Sequence, residues 1–118
     1  MSVIDRQIIA TLELFMATYP VFAETKPLAI GTREQLIERH PDLEPRLVRS
    51  ALLKHCKRPR YLKAIVAGRE RYDLDGQPAG EITALQREKA QRLHAEQEER
   101  RRAAEQRRTA QQQREAEA

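Results

Sequence analysis

The stretch Pro45-Arg46-Leu47-Val48-Arg49-Ser50-Ala51-Leu52-Leu53-Lys54-His55-Cys56-Lys57 decides the reading of this chain. At about 100° per residue, Leu47, Val48, Ala51, Leu52 and His55 share one arc of a helix over residues 45–57. Arg46, Arg49, Ser50, Lys54 and Lys57 take the opposite arc, with Leu53 the one apolar residue among them. One face therefore seeks a core and the other is a cationic stripe. Asp42-Leu43-Glu44-Pro45 signals the start, because proline suits the first helical turn. Pro59 signals the end.

Upstream, Ile4, Ile8, Leu12 and Phe15 follow the spacing of one helical face, widened by Ile9 and Met16, which predicts a helix over residues 2–17. It ends at Tyr19-Pro20, since the residue before a proline disfavours helix. Val21 and Phe22 read as apolar anchors in a loop, and Lys26-Pro27-Leu28-Ala29-Ile30-Gly31 as an extended segment closed by glycine. Thr32-x-x-Gln35 has the form of a capping box and predicts a second helix that stops before Pro41.

Downstream, Arg60 to Ile65 reads as a short helical turn or extended link, and Arg69 to Leu74 as a strand with Tyr72 and Leu74 on one side. Asp75-Gly76 predicts a two-residue hairpin turn, and Pro78 limits the return strand to an edge. Asp75 is read as the turn residue, with Asp73 facing solvent. A second capping box, Thr83-x-x-Gln86, opens a last helix rich in Ala, Glu, Gln and Arg. Glu88/Arg92, Glu96/Arg100 and Glu98/Arg102 are spaced to support it as i, i+4 pairs. Beyond Leu93 it has no Leu, Ile, Val or aromatic residue, so no heptad seam forms and a monomer is expected. The chain thus divides into a folded domain over residues 1–85 and a charged helical or disordered tail over residues 86–118.

Composition sets the outer limits. With 118 residues, 40% of them hydrophobic, 4% aromatic and none Trp, the chain encloses one small core and has little room for a large buried active site. No apolar run reaches the ~18 residues of a membrane span, and the early Asp5 does not fit a signal peptide. A cytoplasmic protein is expected. The single Cys56 rules out an internal disulfide, and no histidine stands at metal-ligand spacing. His55 falls on the apolar arc and reads as a satisfied core residue rather than a partner of Cys56, because adjacent helical residues diverge.

The net charge of +4 is unevenly spread. Residues 45–71 carry nine cations (Arg46, Arg49, Lys54, Lys57, Arg58, Arg60, Lys63, Arg69 and Arg71) against Glu70 alone. The segments on either side are net acidic. Such a block is the footprint of a polyanion partner, and the adjacent Arg60-Tyr61 suits contact with a base or sugar. Two short helices joined by His40-Pro41-Asp42-Leu43-Glu44 also fit a helix-turn-helix DNA regulator. The connection is less tight than usual, however, and the stripe lacks the Asn and Gln that read adenine. A third reading is an adaptor whose tail helix binds a protein.

Lys26 to Gly31, Leu47 to Leu52, Arg60-Tyr61-Leu62, Arg71 to Gly76 and Pro78 to Glu81 occur in order, and together they resemble the ProQ/FinO RNA-chaperone domain over about residues 6–85. The resemblance implies a mainly helical α+β domain with a small β-hairpin, without cofactor, small-molecule substrate or catalysis, in a minimal single-domain member. It implies structured RNA as partner: small RNAs and message 3′ ends, bound at a terminator-type hairpin with a single-stranded U-rich tail. Arg49 matches the family's basic helix position, Arg60 and Tyr61 its Arg-Tyr pair, Arg71 the residue opening the hairpin, Lys26 the basic position before Pro-Leu, and Gly31 the glycine after it. Ala29 stands where the family often has Lys, and Pro45 and Leu53 where some members have Lys and Arg. Arg46, Lys54, Lys57 and Arg58 are expected to compensate. Together these ten residues form the expected RNA-binding site.

Overall fold

A computed structural model describes all 118 residues. The elements are α1 (Val3–Thr18), α2 (Pro20–Ala23), α3 (Thr32–Arg39), α4 (Pro45–Cys56), α5 (Pro59–Ala67), β1 (Glu70–Tyr72), β2 (Pro78–Glu81) and α6 (Ala84–Glu117). It is the helical fold with a small hairpin and a long final helix that the sequence predicts.

The core grows from the amphipathic faces. α1 lays Leu12 and Phe15 against α4, which buries Val48, Ala51 and His55 in return. Ile4, predicted on the same face of α1, lies beyond the body and is 55% exposed. Val21 and Phe22 do not sit in a loop: Pro20 supplies a pre-set φ at the first position of α2, a single turn that drives both side chains into the core. Phe22 packs 5.5 Å from the Phe15 ring and 4.8 Å from His55. His40, at the end of α3, meets Tyr19 with a 2.8 Å hydrogen bond, and its ring lies tilted 5.4 Å from that of Phe15.

Three local readings are corrected. Pro59 does more than stop α4: it is the first residue of α5, so Arg60 to Ile65 form a nine-residue helix with Val66 and Ala67. Thr32 does not cap α3. Gly31 is the N-cap, at φ 95°, and the Thr32 hydroxyl donates backwards to the Ala29 carbonyl at 2.7 Å. The hairpin turn is built by Asp73 rather than Asp75. The Asp73 carboxylate accepts the N–H groups of Asp75 and Gln77, both at 2.9 Å, which frees Asp75 to pair with Arg39 at 3.0 Å. Leu74 within the turn is buried.

β1 and β2 are antiparallel, with an irregularity between the Glu70–Glu81 and Tyr72–Pro78 pairs. On its other edge β1 holds the extended segment Pro27–Ala29: Tyr72 N–H donates to the Pro27 carbonyl and Ala29 N–H to the Tyr72 carbonyl, both at 2.8 Å. Gly68 allows this junction to close. A Cβ there would lie 2.7 Å from the Ala64 carbonyl and 3.3 Å from Pro27. α6 begins with the capping box predicted at Thr83 and Gln86. Its first half packs on α5 through Ala90, and Gln97 donates to the Lys57 carbonyl at 2.7 Å. The predicted i, i+4 pairs do not form. Arg101 instead takes both Glu98, at 3.0 Å, and Glu105, at 3.6 Å.

Candidate functional site

The ten expected site residues fall into groups. Gly31, Tyr61 and Arg71 line one hollow of about 370 Å³, together with Leu28, Thr32, Arg33, Leu52 and Cys56. Its walls come from the start of α3, one flank of α4, the first turn of α5 and the edge of β1. The Tyr61 ring is 6% exposed and packs 5.4 Å from His55, so it is not an open stacking surface. Its hydroxyl accepts the Leu28 N–H at 3.1 Å. Burial, with the Cys56 thiol beside it, pushes the phenol up to about 12, so the hydroxyl keeps its proton. Burial likewise raises the Cys56 thiol, which makes it a poor nucleophile.

Arg71 donates to the Leu28 carbonyl at 2.9 Å, while its buried Nε has no partner in the chain. α3 opens into the same hollow without a side-chain cap, and the Arg33 N–H finds no acceptor. The Glu34 carboxylate leans back on its own N–H and on Arg33 at 3.0 Å, which hold its carboxyl below the usual range. That is the behaviour of an anion drawn to a helix start. Sequence reading missed Arg33 and this uncapped terminus. The signal was Gly31 immediately before a helix, a residue that caps without a side chain.

The cationic stripe of α4 is divided between two flanks. Arg49 lies about 20° from Cys56 and about 60° from Leu52 around the helix, on the side of the hollow. Arg49 is exposed and makes no ion pair. Lys54 and Lys57 belong to the other flank, where they border a second hollow of about 410 Å³ floored by Ile8, Ile9 and Leu53. Arg46 is exposed and pairs with Glu44 at 3.6 Å. The Arg58 guanidinium turns under the stripe to the Met16 sulfur at 3.8 Å. Arg60 is exposed on α5. Lys26 sits 4.9 Å over the Tyr72 ring and 3.3 Å from Glu24. There is no cluster of three or more His, Cys, Asp or Glu that holds a metal, and no helix is long and apolar enough to cross a membrane.

His55 is buried between Phe22 and Tyr61, but neither ring nitrogen has a partner, so it is not the satisfied core histidine the sequence implied. Burial, with Arg58 nearby, pushes its pKa down to about 4. It is a neutral wedge behind the hollow and does not act as a base within it.

The fold is a mainly helical domain with a small hairpin, and its hollow brings the start of α3 beside Arg33, Glu34, Tyr61 and Arg71; the sequence gives the family. Residues 6–116 match the ProQ/FINO family, and the chain belongs to it. It is 38% identical over 94 residues to the RNA chaperone ProQ of Shewanella oneidensis, covering 77% of this chain and 44% of that protein. The RNA chaperone ProQ of Aeromonas salmonicida is 37% identical over 100 residues, covering 81% and 48%. The chain thus spans about half the length of the curated relatives it matches. A FinO-like RNA chaperone from Neisseria meningitidis, known by crystal structure, superposes with a TM-score of 0.71 at 37% identity, covering 74% of this chain and 93% of that one.

Proposed function

We propose that this protein is a cytoplasmic, monomeric RNA-binding chaperone that seats the 3′ end of a structured RNA in the hollow between α3, α4 and α5. The observation that carries the reading is the convergence there of an uncapped helix start, a protonated phenol and an arginine with an unpartnered buried Nε. These are donors for phosphate and ribose oxygens. The hollow is too small for a duplex and suits the last unpaired nucleotides. A-form RNA offers its backbone rather than its deep major groove, so Arg49 and Arg46 suit the phosphates of the stem below that tail. Terminator-type hairpins with a U-rich 3′ tail, as in small RNAs and message 3′ ends, are the targets that satisfy both parts. Shielding that end and assisting RNA pairing require no catalysis.

The test is a titration at fixed salt of a hairpin RNA with a 3′ U tail, the same RNA with a 3′ phosphate, and duplex DNA. Tight binding to the first, weaker binding to the second and weakest binding to DNA are expected. Equal affinity for the first two overturns the 3′-end pocket, and preference for duplex DNA overturns the RNA reading. Arg49→Ala is expected to weaken binding and flatten the dependence of log K on log salt by roughly 0.7–0.9, one phosphate contact.

A further inference from the structure

α6 continues well beyond the body it packs on. Its last hydrogen bond to the body is from Gln97 to the Lys57 carbonyl, at the cationic end of α4. From there to Glu117 the helix is an arm of about 30 Å at 1.5 Å per residue. Arg100, Arg107 and Arg114 recur along it every seven residues. Seven residues return a helix to within about 20° of the same direction, about 10.5 Å further on, so the three guanidiniums form a single row.

The positions one turn away within that row are Ala103, Ala104, Ala110 and Gln111, which neither neutralise nor cover the arginines. Acids one turn away stand only at its ends, Glu96 and Glu117. None of the three arginines has a carboxylate within ion-pairing distance. The two ion pairs of the arm, Arg101 with Glu98 and with Glu105, lie on a different side. The row therefore carries uncompensated charge, starts about one helical turn beyond Lys57 and runs away from the body.

We infer that this row is a second RNA contact surface, which lies along the backbone of a stem held by the domain. The inference rests on the RNA reading above. A docked body supplies one end of the contact and the rigid arm extends it by about 21 Å, the span from Arg100 to Arg114. A protein partner would need an apolar seam, and the arm has none beyond Leu93. A row of evenly spaced guanidiniums without aromatics suits phosphates rather than unpaired bases.

The experiment compares the full chain with two triple variants of equal charge: Arg100→Gln, Arg107→Gln, Arg114→Gln on the row, and Arg101→Gln, Arg102→Gln, Arg108→Gln off it. Gln keeps helix propensity, and circular dichroism checks that helicity is retained. The probe is a hairpin RNA with a 3′ U tail, on a short stem and on a long one, across a salt series. The row variant is expected to lose about tenfold or more in affinity for the long stem and to flatten the salt slope by about two to three contacts. It should keep wild-type affinity for the short stem. The off-row variant should lose much less. Equal losses from both variants, no loss from either, or a loss independent of stem length overturns the row. So does a change in the sedimentation of the free protein confined to the row variant, which would make the row a self-association seam. A wild-type chain that binds neither RNA refutes the hollow reading as well. A wild type that binds both, with an inert row, refutes the arm alone.

Discussion

α4 and α6 are both cationic helices, and they hold their charge in opposite ways. α4 has no acidic residue, and its other face, Val48, Ala51 and His55, is fixed in the core. α6 has seven acidic residues and buries only Ala90 along its 34 residues. On α4 the core dictates where each arginine points, so one flank faces a hollow and the other faces α1. On α6 beyond Gln97 no residue belongs to the core, and the seven-residue recurrence aligns Arg100, Arg107 and Arg114. A charge stripe read from sequence thus has different meaning on a docked helix and on a free one.

The largest expected effect separates the two helices by stability. Phe22→Ala removes the ring that packs on both Phe15 and His55 behind α4 and should cost about 3–5 kcal/mol in denaturant unfolding. Removing residues 99–118, which take no part in the core, should change stability by less than about 1 kcal/mol. A truncation that costs as much as Phe22→Ala breaks the contrast, because the arm would then be part of the fold.

The next effect concerns what anchors α4. His55 is held well below its ordinary 6.5, at about 4, so the unfolded chain takes up a proton first as pH falls. The stabilisation from keeping the ring neutral is complete above pH ~6.5 and is lost as pH falls from about 6.5 to 4, up to about 3 kcal/mol in all. Thermal unfolding followed across that window should show the decline. His55→Phe, which keeps a ring between Phe22 and Tyr61 without orphan nitrogens, should remove it. An unchanged decline in that variant would assign the titration to other groups.

These contrasts also show what the sequence can carry. Apolar spacing is enough to place α1 and α4, because each turns one side to the core: Leu12 and Phe15 on α1, and Val48, Ala51 and His55 on α4. α2 was invisible to the same test, since four residues have no periodicity, and only its proline marks it. Pro59 signals a stop because proline breaks a helix interior, yet the same residue pre-forms the first turn of the next helix. The division of the α4 stripe was out of reach. Arg49 and Lys54 stand on one polar arc, and only the positions of α1 and α3 decide that they face different hollows. The resemblance located Gly31, Tyr61 and Arg71 by position. That their groups converge on one concavity depends on β1 pairing with Pro27–Ala29, a contact with no local signature.

The smallest effect compares two copies of one motif. Thr32-x-x-Gln35 and Thr83-x-x-Gln86 are equivalent as strings, yet only Thr83 accepts the N–H three residues on, at 3.1 Å, while Gln86 accepts the Thr83 N–H at 2.9 Å. Thr32 follows Gly31, whose left-handed backbone starts α3 one residue early, so its hydroxyl turns back to Ala29 and the helix start stays open. Thr83→Ala should therefore cost about 1 kcal/mol, with Thr83→Ser restoring most of it. Thr32→Ser keeps a hydroxyl for Ala29 and leaves no cap to lose, so it should cost less than Thr83→Ala and leave RNA affinity unchanged. If Thr32→Ser instead weakens RNA binding while stability holds, the hydroxyl's packing sets the shape of the hollow, and the open start of α3 is a constructed feature of the site rather than a missing cap.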